Sequence, residues 1–101
     1  MRILAPLLVL CLGSPASAQP DAAAVDEARR LFEDGIAAVG RQDYVVALDD
    51  FQRSATLAPR PVTLFNIGRC QRVLADLPAA YATLLQYLAL ATEEPADRLA
   101  E

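Results

Sequence analysis

Residues 43–59 read Asp43-Tyr44-Val45-Val46-Ala47-Leu48-Asp49-Asp50-Phe51-Gln52-Arg53-Ser54-Ala55-Thr56-Leu57-Ala58-Pro59, and this stretch decides the fold. Tyr44, Ala47, Leu48, Phe51 and Ala55 recur at the three- and four-residue steps that bring apolar side chains onto one face of a helix. Asp49, Asp50 and Arg53 fall on the polar side. Asp43 is the residue type that opens a helix, because its carboxylate accepts from the free N–H groups of the first turn. Pro59-Arg60-Pro61 stops it. Thirty-three residues further on the plan returns: Asp76 is a second cap, Pro78 sits in a first turn where its missing N–H does no harm, and the helix continues to about Ala91.

Working outward, the stretch Val25 to Gly40 carries Ala28, Leu31, Phe32, Gly35 and Val39 on one helical face, with Pro20-Asp21 as a helix start and Gly40 as its terminator. A third helix is expected from about Val62 to Leu74, with Leu64, Ile67, Gly68, Gln71 and Leu74 on its face. Glu94-Pro95 reads as the start of a fifth. No segment alternates with the two-residue period of a strand, so the expected fold is all-α, built from antiparallel hairpins with turns of two to four residues. Shifting the chain by 33 residues lays Leu31 on Leu64, Phe32 on Phe65, Gly35 on Gly68, Asp43 on Asp76, Ala47 on Ala80 and Leu57 on Leu90. These matches fall where a packed hairpin needs them. The glycines allow close approach, the alanines fit at the crossing, and the aspartates cap the second helices.

The pattern of Gln42-Asp43-Tyr44, Ala47, Phe51 and Pro59, with Gly68, Asp76 and Ala80 in the second copy, resembles the tetratricopeptide repeat (TPR) family over about residues 28–92. The resemblance implies a short α-solenoid with one repeat over 28–60, a second over 61–93, an N-terminal tail and helix start over 19–27, and a truncated capping helix over 94–101. It also implies protein–protein binding, with the inner faces of the first helix of each repeat lining a groove for a peptide or partner segment. The matching positions include Arg29, Phe32, Ile36 and Val39, then Phe65, Arg69 and Arg72, with Asn66 beside them. The lysine-based carboxylate grip of some chaperone-binding members has no counterpart, because the chain has no lysine.

The chain has 101 residues, with 13 acids against 9 bases, every base an arginine, and no histidine or tryptophan. Lack of histidine removes Ser-His and Cys-His nucleophile pairs and imidazole metal ligands. A net charge of −4 disfavours nucleic acid, which calls for a basic face. Met1-Arg2, the apolar run Ile3 to Leu12, the break at Gly13-Ser14-Pro15 and the small residues Ala16-Ser17-Ala18 make residues 1–18 a cleaved signal peptide. The run is about half the roughly 20 residues that cross a bilayer, so no transmembrane segment is expected after cleavage. Export places the chain in the periplasm. Lipid anchoring through Cys11 is the alternative, with Leu10 standing where a small residue is wanted. Only Cys70 then remains, so the mature chain forms no internal disulfide.

Phe32 and Phe65, repeated 33 residues apart, either stack along one groove or pack between helices. Asn66 can pair with a peptide backbone, and Arg69 with Arg72 can fork onto a carboxylate; the same residues also suit a solvated helix face. Cys70 aligns with Ala37, a slot for a small buried residue, with a reactive thiol or intermolecular disulfide as the other reading. Asp49-Asp50 point about 100° apart on a helix and do not converge on a ligand. No catalytic residue, metal site or cofactor is expected, and Ser54 has no base beside it. Between Ala79 and Ala91 only Thr83 and Gln86 are polar, and a terminal repeat should instead show a wet outer face. Leu85 and Leu88 therefore mark an expected association surface, covered by a partner protein or a second copy, or used as the pocket of an apolar-molecule carrier.

Overall fold

The computed structural model describes residues 21–93, so the signal peptide expected at 1–18 and the capping helix expected at 94–101 lie outside the described residues. Within them the chain is all-α, with α1 over Ala22–Gly40, α2 over Tyr44–Leu57, α3 over Pro61–Val73 and α4 over Leu77–Ala91. α1 packs on α2 and α3 on α4 as two hairpins, and α3 also lies against α2.

The helix boundaries follow from local chemistry. Asp21, Asp43 and Asp76 each accept a bond from the N–H three residues on, at Ala24 (2.7 Å), Val46 (3.3 Å) and Ala79 (3.2 Å). The cap at Asp21 starts α1 earlier than the Val25 of the apolar pattern, because the cap and not the first buried side chain sets the boundary. Pro61 and Pro78 occupy first turns. The turn after α1 is closed by Asp43 N–H on Ala38 O (2.9 Å), and the turn after α3 by Asp76 N–H on Gln71 O (2.9 Å). The left-handed residue in each turn is Gln42 (φ 60°) and Ala75 (φ 63°). Gly40 therefore ends α1 without supplying the turn, which falls two residues later. The repeat extends to the turns, at positions 33 apart.

The core is centred on Ala38, Ala47, Phe51, Leu64, Ile67 and Cys70, with Phe32, Tyr44, Leu48 and Ala55 packed around it. Phe51 is completely buried and its ring lies over Gly35, so close that a Cβ there would stand 2.6 Å from Phe51 Cε1. Gly68 is different. A Cβ there would meet only Thr83 Cγ2, at an ordinary 3.6 Å. The expected close approach at both glycines thus holds at Gly35 alone, because Leu84, the counterpart of Phe51, is turned outward at 49% exposure. Each hairpin also carries a buried polar clip. Ser54 Oγ donates to Ala28 O (2.7 Å) between α2 and α1, and Thr83 Oγ1 donates to Gln71 Oε1 (2.6 Å) between α4 and α3. Leu74, expected on the buried stripe, follows α3 as its C-cap and is exposed.

The two glycines should respond oppositely to alanine. Gly35→Ala forces a methyl into the Phe51 ring and should cost about 1–3 kcal/mol in urea unfolding. Gly68→Ala meets no obstacle and should be neutral or stabilising by up to about 1 kcal/mol, since alanine is the better helix former. Equal responses would contradict this packing.

Candidate functional site

α3 and α4 border an open trough of about 520 Å³. Phe65, Arg69 and Arg72 follow each other at four- and three-residue steps along α3, with Leu64 and Gly68 behind them. Leu77, Tyr81 and Leu84 take the matching steps along α4, with Ala80 and Tyr87 completing the wall. At one end Phe65 and Tyr87 meet with ring centroids 6.2 Å apart and planes tilted by 56°. At the other end the turn from α3 to α4 brings Arg72 and Leu77 together on the wall. The apolar walls are exposed, Phe65 to 58%, Leu77 to 62% and Tyr81 to 66%. Arg69 and Arg72 are the charged groups of the trough, and among the described residues neither has a carboxylate within salt-bridge distance.

The internal repeat explains why the trough is open. Thirty-three residues earlier, the same face is made by Phe32, Ile36 and Val39 on α1 and by Tyr44, Leu48 and Phe51 on α2. There α3 lies along α2 and covers most of that face, contributing Leu64, Ile67 and Cys70 to the shared core, while Ile36 at its edge stays exposed. Among the described residues the α3–α4 face is the uncovered copy of that interface. Two of the changes introduce charge: Arg69 and Arg72 stand in place of Ile36 and Val39.

The structure separates the residues singled out by sequence. Phe65, Arg69 and Arg72 share the trough. Phe32 is half-buried against Phe51, with ring centroids 5.5 Å apart, and lines a smaller cleft of about 60 Å³ beside Ser54 and Ala58. The two phenylalanines therefore occupy separate depressions and do not stack along one groove. Asn66 is buried and its Nδ2 donates to Val62 O (2.9 Å) on its own helix, away from the trough. Leu85 and Leu88 are about half exposed but lie outside the trough lining, which uses Leu84 and Tyr81 from the same helix. Leu77, Tyr81, Leu84 and Tyr87 were the residues to find. Their signal was present in the spacing 77, 81, 84 and in the near absence of polar residues along α4.

Among the described residues, two titratable groups are displaced from their ordinary values. Cys70 sits in the core and burial pushes its thiol up, with the positive charge of Arg69 pulling it partly back. Asp50 is also raised, first by loss of water and then by the like charges of Asp34 and Asp49. Among the described residues no helix is long and apolar enough to cross a membrane. Comparison of the chain with protein-family models, with curated proteins and with solved structures finds no match.

Burial of Cys70 gives a direct test. At neutral pH the native thiol should react with iodoacetamide at least about tenfold more slowly than in urea. A native thiol whose pKa is raised favours folding below its unfolded value, about 8.5, and that contribution is lost as pH climbs through the native value. Melting temperature should therefore fall as pH rises above about 8.5, and Cys70→Ala should flatten the fall. Equal alkylation rates in the native and unfolded states would contradict the placement.

Proposed function

We propose that the chain is an exported, tetratricopeptide-like interaction module acting as a groove-type scaffold or adaptor in the periplasm, with no chemistry of its own. Its receiving surface is the α3–α4 trough and not the inner faces of the first helices of both hairpins. The reading is supported above all by one observation: the trough repeats the face that α3 covers in the first hairpin, and it is open. Apolar walls at this exposure are unfavourable in water and gain by burial at about 25 cal/mol per Å². The preformed walls leave little ordering to be done when a segment binds. Self-association is the second reading, favoured by Leu85 and Leu88 and by the lack of any charged residue between Leu77 and Ala91.

Light scattering and an anilinonaphthalene dye distinguish the two on the full chain. The expected result is a monomer that binds dye, and a Tyr81→Glu, Leu84→Glu variant that binds none while keeping its helical circular dichroism. A concentration-dependent dimer that excludes dye would instead support self-association. A monomer that excludes dye would overturn the receiving-surface reading.

A further inference from the structure

We infer that the trough takes an amphipathic helix from another protein, running parallel to α3 and carrying acidic side chains near its C-terminal end. This rests on the trough being the receiving surface. The first hairpin supplies the geometry. α3 turns back along α2 after a three-residue connection and seats Leu64, Ile67 and Cys70, spaced three apart, into the shared core. The 33-residue shift maps α2 onto α4, so a helix seated in the same way runs antiparallel to α4 and parallel to α3.

The charges add direction. Val39 packs against the core of the first hairpin, and its counterpart is Arg72. Arg69 and Arg72 lie in the C-terminal half of α3 and so flank the C-terminal half of a parallel occupant. A helix C-terminus already carries partial negative charge, and glutamate or aspartate side chains there would pair with two exposed guanidinium groups that have no carboxylate partner among the described residues.

A second copy fits less well. In a two-fold pair α4 meets α4, and from Leu77 to Ala91 there is no acid to answer the arginines. Head-to-tail stacking would seat α1 on α4. Its residues Arg30, Glu33 and Asp34 are exposed where α3 offers the buried Thr63, Asn66 and Ile67, so a carboxylate would enter an apolar seat. The 33-residue shift puts Asp97 at the position of the buried Leu64, so residues 94–101 seated in the same way would carry a carboxylate into the apolar seat.

Three fluorescein-labelled 15-residue peptides test this by anisotropy on the full chain. All share one apolar stripe, with leucine, isoleucine and alanine at the spacing of Leu64, Ile67 and Cys70. One carries two glutamates in its last turn, one carries them in its first turn, and one carries glutamine at both places. The C-terminal glutamate peptide should bind about tenfold more tightly than the N-terminal one and about threefold more tightly than the neutral one. Intrinsic helix stability favours the opposite order, so it cannot produce this result. Arg69→Ala, Arg72→Ala should bring the C-terminal glutamate peptide down to the neutral level without changing the melt. If all three bind alike, or the N-terminal glutamate peptide binds best, the inference falls and the receiving surface stands. If none binds, both fall: light scattering then assigns the surface to a second copy when the chain is a dimer, and to residues 94–101 when it is a monomer.

Discussion

The ring of Phe51 lies over Gly35 where no side chain intervenes, and the remaining packing is arranged around that contact. A fully buried phenylalanine contributes about 1.5–3 kcal/mol by area alone. Its larger consequence here is geometric. It lets α1 and α2 close on one another, and α3 then joins the same core, which buries Leu64, Ile67 and Cys70. Once those three face inward, the helical period turns Phe65, Arg69 and Arg72 outward. The exposed wall of the trough is thus a consequence of the core.

The second hairpin is built on the same plan with a different closure. Its glycine faces Thr83 and not an aromatic ring, and its helices are joined by the buried Thr83–Gln71 hydrogen bond, with Tyr87 and Leu90 packed at the edge of the core. Such a bond adds only about 0.5–1.5 kcal/mol net, though breaking one partner of a buried pair costs more. It fixes register without needing a large apolar side chain inside. Leu84 is released from the interior and joins Leu77 and Tyr81 on the outer face. The two ends of the molecule consequently differ. α1 presents Arg30, Glu33 and Asp34 to water, and α4 presents leucines and a tyrosine.

Much of the fold was legible in the sequence because it depends on short-range rules. Asp43 and Asp76 as caps, the proline stops, and the buried Ala47 and Phe51 all follow from local chemistry and helical period. The turns were less visible, since Gln42 and Ala75 adopt a left-handed conformation that composition would assign to glycine. The site was half legible. Arg69, Arg72 and Phe65 lie on one face by spacing, and the excess of apolar residues in the fourth helix could be counted. Whether Phe32 and Phe65 share a groove could not be read from identity at matched positions. It turns on their partners, Phe51 for one and Tyr87 for the other. Asn66 was misleading for a similar reason: its amide bonds to its own helix.

Among the described residues α4 is covered on one side only, and Thr83 is its single buried residue. Residue-resolved amide hydrogen exchange on the free chain tests this most directly. α2, enclosed between α1 and α3, should be the most protected helix, with α4 exchanging at least about tenfold faster at its central amides. Protection of α4 equal to that of α2 in the free, monomeric chain would contradict the claim, because the face described as open would already be closed.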